Sequence, residues 1–438
     1  MNASAAPVDI EALIDQRPLG NFQRLVLLAG FCLIALDGFD LTCMGFIAPA
    51  LKAQWHLSNL ALGPVLSAAL IGLAIGALAA GPIADRIGRK KVLLASLAVL
   101  GGFTLAAANA QNLEQLMLLR FAAGLGMGAL LPNAATLVSE FVPRRRRSLA
   151  VSLAYCGLPV ASAGGGFLAA RLVPDYGWQS VLLIGGALPL LALPLFAWKL
   201  PESPLFLAAR GVKDARIAAI LKHLAPEEDN TQAILARPTR QDTRGAVQLV
   251  LSSRYLAGSV LLWIAYFATL FMLHLLINWL PTLIKEDGFS LTDAAVVAGM
   301  FQFGGIVGTF GLGWCMDRLG LHRSLVTAYG ACALVLAALG SAGHVLGLLA
   351  GLAFLLGCSL VGAAASINAL AAACYPTEAR ATGTSWMHGA GRLGAILSAF
   401  GGAQMLSQGW NASGVFLALA VPALCAGVAV LAQAQASR

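Results

Sequence analysis

Charged side chains are scarce in this sequence. Asp, Glu, Lys and Arg make up only 11% of its 438 residues, whereas apolar residues make up 59%. Soluble domains contain about 25% charged and about 45–50% apolar residues. The mean hydropathy of +0.80 and the long apolar runs therefore indicate a protein that crosses a membrane many times. A secreted disulfide scaffold, a nucleic-acid-binding protein and a cytosolic enzyme are excluded as its main class.

Motifs for metals, nucleotides and secretion are also missing. The eight cysteines are scattered, without a Cys-x-x-Cys pair or a metal-ligand spacing, so we expect small packing residues and no metal site. There is no Gly-x-x-x-x-Gly-Lys-Ser/Thr loop, which argues against coupling to ATP, and no cofactor is expected. The first 22 residues lack the basic start and apolar core of a signal peptide, so we expect them to stay in the cytoplasm.

Twelve apolar runs are each long enough to cross a bilayer. A spanning helix needs about 20 mostly apolar residues, and many of these runs are rich in Gly and Ala, which let helices pack closely in lipid. The sequence predicts an all-α polytopic membrane protein with twelve transmembrane helices. The predicted spans are 23–49, 59–80, 92–110, 115–140, 148–170, 179–199, 255–282, 293–314, 324–342, 346–373, 383–407 and 412–433.

The basic residues fall mainly on one side of these spans. The net charge of +8 could suggest a nucleic-acid partner, but 23 of the 28 Lys and Arg residues share one side when the N-terminus is cytoplasmic. Only Lys52, Arg171 and Lys285 fall on the other side. This positive-inside pattern predicts that both termini are cytoplasmic and that nucleic acid is not a partner. The run 144–147 is then a cytoplasmic anchor, with a lipid or nucleic-acid patch as the alternative.

The chain repeats itself after about half its length. Three motifs recur 232 or 233 residues later, at the same places relative to the spans. They are Asp85-Arg86 with Asp317-Arg318, Pro143 with Pro376, and the segment 120–124 with 353–357. The repeat predicts two pseudo-symmetric six-helix bundles. The expected division is a cytoplasmic N-terminal tail 1–22, an N-terminal bundle 23–199, a cytoplasmic linker 200–254, a C-terminal bundle 255–433 and a cytoplasmic C-terminal tail 434–438.

Several segments resemble the signature motifs of the major facilitator superfamily. They are the segment Gly81–Lys91, which we expect to be a loop between spans two and three, its weaker copy at 313–320, the pattern Gly124-x-Gly126-x-Gly128 and the segment Pro201–Pro204. The resemblance covers essentially the whole chain. It implies a transporter whose two halves alternate access to a central site.

Shorter segments resemble the aromatic acid:proton symporter family within that superfamily. They are Leu36–Asp40 and Gly45–Pro49 in the first span, and Tyr375–Gly383 followed by Arg392 in the second half. The resemblance implies import of benzoate-like or phenylpropanoid-like carboxylates into bacteria, together with protons, across the inner membrane. A monomer is expected. The segment Gly157–Pro159 does not fit the antiporter motif, which argues against drug efflux.

Four ionisable side chains lie inside predicted spans: Asp37, Asp40, Arg120 and Arg392. Each costs about 2.5–3.5 kcal/mol on insertion scales, so such residues face a cavity or one another. Asp37 and Asp40 share a helix face, and two carboxylates in a low dielectric disfavour double ionisation, so at least one is expected to carry a proton. Resemblance to sugar:proton symporters makes Asp40 and Arg120 the coupling pair and Asp37 the second proton site. A structural ion pair is the alternative.

Arg392 is the expected ligand of the substrate carboxylate, because a guanidinium matches a carboxylate with two hydrogen bonds. His388, one turn before it, is expected to assist. The alternatives are a salt bridge from Arg392 to Asp37 and an ordinary helix contact for His388. An aromatic acid also needs rings and a few polar groups. The further candidates, each of which could instead be ordinary packing, are Tyr155, His274, Asn278, Gln302, Trp386, Phe39 and Phe46.

Nine charged residues lie at the expected cytoplasmic ends of the helices. By resemblance they form networks that latch this side when the other side is open. The alternative is a set of solvated charges, each pair worth about 0–1 kcal/mol. These gate candidates are Asp85, Arg86, Arg89, Glu140, Arg147, Asp317, Arg318, Glu378 and Arg380.

The sequence thus predicts a proton-coupled symporter for a small aromatic carboxylate, embedded in the lipid bilayer. Arginines in both halves favour an anion over a neutral sugar. The alternatives are another organic anion, a sugar or an exported drug on the same fold, or a substrate sensor that does not transport. No nucleophile–base pair or metal cluster suggests an enzyme.

Overall fold

A computed structural model describes residues 14–15, 19–209, 244–343 and 345–436. Within these ranges the chain is almost entirely helical and has no strand. Eleven of the described spans are long and apolar enough to cross a membrane; the helix Thr377–Ser407 is long enough but begins with several polar residues. The all-helical polytopic fold predicted from the sequence is confirmed. Spans one to twelve are Asn21–Trp55, Asn59–Ile87, Arg89–Ala107, Leu113–Phe141, Arg144–Tyr176, Gln179–Lys199, Ser253–Glu286, Leu291–Leu319, Leu321–Ser341, Leu346–Cys374, Thr377–Ser407 and Ala412–Ala436.

The segment Gly81–Lys91, expected to be a loop, is helical on both sides of one residue. Span two continues to Ile87, span three starts at Arg89, and only Gly88 interrupts them, with φ 102°. Gly320 separates spans eight and nine in the same way, with φ 88°. Positive φ suits glycine because it has no Cβ. The loop prediction is therefore wrong, since one glycine is enough to reverse the chain here.

Span five is broken once. It consists of the helices Arg144–Tyr155 and Gly157–Tyr176, which meet at Cys156. A Cβ built on Gly157 would lie 2.3 Å from the carbonyl oxygen of Phe31, so span one approaches the break at backbone distance.

The predicted linker 200–254 is helical at its edges. The helices Pro204–Ala209 and Arg244–Val250 flank the gap, and span seven starts at Ser253. The carboxylate of Glu202 accepts a hydrogen bond from the backbone N–H of Lys90 at 3.0 Å. The start of the linker is thereby fixed to the turn at Gly88. Residues 210–243 lie outside the described ranges.

The internal repeat is visible in the packing of the spans. In the first half, a Cβ built on Gly124 would lie 2.2 Å from the carbonyl oxygen of Ala69, which brings spans two and four together. In the second half, a Cβ on Gly357 would lie 1.9 Å from the carbonyl oxygen of Phe301, which does the same for spans eight and ten. Gly357 lies 233 residues after Gly124. The corresponding glycines therefore make corresponding contacts.

The two halves are packed together at one end, which we call the closed end. There Lys52 at the end of span one forms a salt bridge with Glu286 at the end of span seven. The hydroxyl of Thr292 donates a hydrogen bond to the carbonyl oxygen of Ala170 at 3.2 Å. A Cβ built on Gly45 would lie 2.0 Å from the carbonyl oxygen of Ile277. The opposite end, which carries Gly88 and Gly320, we call the loop end.

Candidate functional site

Asp40 and Arg120 form the ion pair that the resemblance implied. Nη2 of Arg120 lies 2.7 Å from Oδ2 of Asp40, and Nη1 lies 2.9 Å from Oδ1. The hydroxyl of Thr104 on span three donates a further hydrogen bond to Oδ1 at 2.7 Å. Asp40 is 0% and Arg120 is 1% exposed. The pair is therefore enclosed inside the first half, held by spans one, three and four.

Asp37 lies one helical turn from Asp40 and has a different environment. Its side chain is buried, and Oδ1 has no hydrogen-bond partner. It is within electrostatic range of Asp40 and of the hydroxyl of Tyr155 on span five. An ionised, unpartnered carboxylate is costly in a low dielectric. The surroundings of Asp37 therefore favour a carboxyl group that holds a proton.

Arg392 lies where the two halves face each other. Its guanidinium is half-buried and is within electrostatic range of the hydroxyls of Tyr155, from the first half, and Tyr266, from the second. Neither Arg392 nor Asp37 has an ion-pair partner among the described residues, so the alternative of a salt bridge between them is not seen. A cation without a partner, next to two phenol groups, can bind an anion.

His388 does not stand alone on span eleven. Its Nδ1 lies 3.2 Å from the hydroxyl of Tyr266 on span seven, and the two rings meet edge to face with centroids 5.2 Å apart. Asn368 on span ten lies close to Tyr266, while its own amide donates to the carbonyl oxygens of Ala364 and Ala365. Tyr266 and Asn368 are not among the site residues predicted from the sequence. Tyrosine and asparagine are common packing residues, so their types alone give no signal. They come near Arg392 only because spans seven, ten and eleven face one another.

Asn278 and Gln302 are buried near the closed end. Asn278 and Gln302 are each 3% exposed, and the side-chain amide nitrogen of each has no hydrogen-bond partner. His274, one turn before Asn278, places its Nδ1 3.0 Å from the carbonyl oxygen of Leu270 in its own helix. These three candidates are thus on spans seven and eight, apart from the Arg392 group.

The aromatic candidates occupy different places. A Cβ built on Gly165 would lie 3.1 Å from the ring of Phe39 and 3.4 Å from that of Phe46, so both rings pack on span five. Phe39 also contacts Gly185 of span six, which places it inside the first half. Trp386 is 42% exposed and lies against Trp263 with ring centroids 5.6 Å apart.

A second polar cluster lies at the loop end of the first half. Nη2 of Arg89 lies 3.0 Å from Oε1 of Glu140, which is 6% exposed. The hydroxyl of Ser203 donates a hydrogen bond to Glu140, and Nη1 of Arg89 donates one to that hydroxyl at 3.4 Å. The structure therefore joins two gate candidates and adds a linker serine that the gate prediction did not include.

The other gate candidates are spread over the loop end. Arg147 is half-buried, and Arg318 lies over the ring of Trp314 at 4.3 Å. The side chain of Glu378 lies outside the described part of the structure. The exposed members are Asp85, Arg86, Asp317, Arg318 and Arg380.

The site offers binding chemistry rather than metal chemistry. Among the described residues, no group of three or more His, Cys, Asp or Glu side chains could hold a metal ion. The charged and phenolic groups of Asp37, Tyr155, Tyr266 and Arg392 can together bind a proton and an organic anion.

Comparison with known proteins gives matches to a family profile, to named transporters and to a solved structure, each covering most of the chain. The family profile described as Major Facilitator Superfamily matches residues 30–399. The chain is 44% identical over 433 residues to the 4-hydroxybenzoate transporter PcaK of Pseudomonas putida, covering 98% of this chain and 96% of that one. It is also 44% identical over 432 residues to a gallate transporter of Pseudomonas putida, with coverage of 98% and 96%. A solved D-xylose-proton symporter has the same fold, with a TM-score of 0.73 at 16% identity, covering 94% of this chain and 97% of that one.

Proposed function

This chain belongs to the Major Facilitator Superfamily, and we propose that it imports a hydroxybenzoate-like or phenylpropanoid-like carboxylate together with protons. The observation that carries the substrate class is the 44% identity, over nearly the full length, to transporters named for 4-hydroxybenzoate and gallate. The protein is a multi-pass membrane transporter of small aromatic acids and not an enzyme. The proton coupling, the direction and the residue roles rest on the site.

Arg392 holds the substrate carboxylate in this proposal. It is half-buried between the halves and has no anionic partner, while two phenol groups lie within electrostatic range. An arginine–carboxylate pair is charge-assisted and roughly twice as strong as a neutral hydrogen bond. His388 positions Tyr266, and Tyr155 closes the site from the other half.

The two aspartates of span one carry the coupling. Asp37 is unpartnered and lies on the side of Tyr155, whereas Asp40 is closed off with Arg120. A proton therefore reaches Asp37 first and passes to Asp40, one turn further along the helix. A proton on Asp40 removes the charge that holds Arg120 and lets spans one and four move relative to each other. The substrate and the proton on Asp37 thus both lie near Tyr155, whereas the ion pair that the proton releases lies inside the first half.

The orientation follows from the basic residues. The loop end carries most of the Lys and Arg side chains, so it faces the cytoplasm, together with both termini, when the protein sits in the inner membrane of a bacterium. The closed end, with Lys52 and Glu286, then faces outward. In this proposal the packed closed end makes the structure an inward-facing state, and rocking of the two halves gives the outward-facing one. One chain contains all of these groups, which fits a monomer.

The loop-end charges act as the gate in the opposite state. Arg89 and Glu140 are already paired within the first half. Asp85 and Asp317 are exposed and available for contacts across the halves when the cytoplasmic side closes.

Uptake into proteoliposomes tests the proposal. The purified protein is reconstituted, and labelled 4-hydroxybenzoate is supplied under an inward proton gradient; protein-free liposomes measure the passive entry of the protonated acid. We expect accumulation above that background, abolished by a protonophore and by Arg392→Ala. Equilibration without accumulation would remove the proton coupling, and no uptake of any aromatic acid would remove the proposed function.

A further inference from the structure

Three polar side chains near the closed end have hydrogen-bonding atoms without partners. Asn278, Thr282 and Gln302 are 3%, 1% and 3% exposed. The atoms left over are Nδ2 of Asn278, Oγ1 of Thr282 and Nε2 of Gln302. A buried polar atom without a partner is costly because it has lost its hydrogen bonds to water and gained none in return. Three such atoms in one region of the molecule therefore point to a ligand that supplies the missing partners, and we call their side chains the polar cluster.

Asn278 and Thr282 face the other half of the molecule. They are four residues apart and share one face of span seven. A Cβ built on Gly45 of span one would lie 3.2 Å from the Cα of Asn278. This face of span seven is thus directed at the interface between the halves.

Gln302 is directed at the same interface from span eight. Three residues before it, Gly299 lies against span five: a Cβ built on Gly166 would lie 2.8 Å from the Cα of Gly299. Three residues after it, Gly305 faces Val361 of span ten, at 2.8 Å. Viewed along the helix axis, Gln302 projects between the direction of Gly299, toward span five, and the direction of Gly305, toward span ten. Its amide therefore points into the gap between span five of one half and span ten of the other.

The cluster lies beyond Arg392 in the direction of the closed end. Span eleven runs beside span seven: a Cβ on Gly391 would lie 2.4 Å from the ring of Tyr266, and one on Gly394 would lie 2.4 Å from the carbonyl oxygen of Phe267. Arg392 is therefore level with the region of Leu270. Asn278 is eight residues further along, or about 12 Å at the helical rise of 1.5 Å per residue. A ring that is bound by its carboxylate to Arg392 and directed toward the closed end would approach this cluster.

The chemistry of the cluster suits a neutral hydroxyl group. Amide nitrogens donate hydrogen bonds, and a threonine hydroxyl donates or accepts. His274 lies on the same face as Asn278; its Nδ1 donates to the carbonyl oxygen of Leu270, which leaves Nε2 as an acceptor in the neutral ring. The cluster contains no charged side chain, and a second carboxylate here would be costly to bury.

We propose that Asn278 and Gln302, with Thr282, bind the hydroxyl group on the ring of the substrate and so select hydroxylated aromatic acids. The inference rests on the proposed function and deepens it: Arg392 recognises the carboxylate, and this cluster recognises the opposite edge of the ring. It makes the two amides specificity residues rather than coupling residues.

The test compares substrates that differ only at that edge. Initial uptake of 4-hydroxybenzoate, 4-methylbenzoate and benzoate is measured in proteoliposomes of the full-length protein and of Asn278→Leu and Gln302→Met. We expect each variant to lower the ratio of 4-hydroxybenzoate to 4-methylbenzoate uptake about tenfold, the factor that one hydrogen bond near the top of its range supplies. Benzoate uptake stays near the wild-type level.

Asn133→Leu is the matched control. Asn133 is also a buried asparagine of a span, but its amide already donates to the carbonyl oxygen of Ala129 at 2.7 Å, so its substitution leaves the ratio unchanged. An unchanged ratio in Asn278→Leu and Gln302→Met, or an equal loss of all three substrates in both, overturns the inference. If Asn278→Leu does not fold, the ratio in Gln302→Met decides. Failure of the wild-type protein to take up any aromatic acid removes the proposed function instead.

Discussion

At the scale of single residues, the two aspartates of span one have opposite surroundings. Asp40 has its charge compensated by Arg120 and a hydrogen bond from Thr104. Asp37 has neither, although it lies one turn away. Removing one member of a buried ion pair leaves an uncompensated charge and is strongly destabilising, whereas removing an unpartnered carboxyl group is not. The two positions therefore differ in what a substitution does to stability.

Asp40→Asn is expected to destabilise the protein by about 3–5 kcal/mol because it leaves Arg120 buried without its counter-charge. The double variant Asp40→Asn/Arg120→Gln removes both charges and recovers much of that loss, while proton-driven uptake stays absent in both. Thermal unfolding of the purified protein, followed by uptake in proteoliposomes, measures the two effects. A double variant as unstable as the single one would show that the pair does not act as a unit.

Asp37→Asn is expected to fold with wild-type stability but to lose accumulation against a gradient. The asparagine fills the same space, and no hydrogen bond to Asp37 is lost, but the group can no longer accept and release a proton. Exchange of labelled for unlabelled substrate at equal concentrations on both sides needs no net proton movement and is expected to continue. Accumulation at the wild-type level would exclude Asp37 from the coupling.

At the scale of the helices, backbone contacts at glycines set the packing within each half. Spans two and four meet at Gly72, where a Cβ would lie 2.2 Å from the carbonyl oxygen of Phe121. Spans eight and ten meet at Gly304, where it would lie 2.0 Å from the carbonyl oxygen of Phe354. Van der Waals packing of close backbones drives helix association in lipid, where burial of apolar surface contributes little. Such positions cannot take a side chain without moving a helix.

Gly304→Val is expected to cost about 1–3 kcal/mol, the range for overpacking, because its side chain meets the backbone of span ten. Gly311→Val on the same helix is the control, since a Cβ there has nothing within 4 Å. Both carry the same change in helix propensity, so the difference between their unfolding temperatures isolates the contact. Equal temperatures would mean that spans eight and ten separate at no cost.

At the scale of the whole molecule, the two halves meet at the closed end. Among the described residues, the contact includes backbone approaches, the hydrogen bond from Thr292 to Ala170 and the salt bridge between Lys52 and Glu286. The side chains of Lys52 and Glu286 are 26% and 34% exposed. A pair this exposed contributes about 0.2–1 kcal/mol. That is enough to bias a balance between two conformations without fixing it.

Charge reversal at the closed end is expected to shift the molecule toward its outward-facing state. Glu286→Lys places two cations together, so a larger fraction of molecules is open to external substrate and the half-saturating external concentration falls by up to about fivefold. The swap Lys52→Glu/Glu286→Lys restores the pair and is expected to restore the wild-type value. Initial uptake rates over a range of concentrations measure it, and a swap that behaves like the single variant would contradict the role of the pair.

The sequence by itself determined the class, the spans and the repeat. The class and the spans depend on residues close together in the chain, and the repeat is found by comparing such segments with one another. An apolar run of sufficient length forms a helix in lipid because its backbone must satisfy its own hydrogen bonds. The resemblance of a few motifs added the pairing of Asp40 with Arg120, which the geometry of the pair fits. Local pattern was insufficient at Gly81–Lys91, where the run of polar residues indicated a loop but the chain stays helical on both sides of Gly88.

Only the tertiary structure decided which side chains share a site. The rotation and tilt of each helix bring Tyr155 and Tyr266 toward Arg392 from opposite halves and place Ser203 on Glu140. The same rotations leave Asp37, Asn278 and Gln302 buried with atoms that have no partner. The residues in these contacts are at least 63 positions apart in the chain. The contacts depend on how helices pack rather than on where they begin and end, and hydropathy along the chain carries no record of that packing.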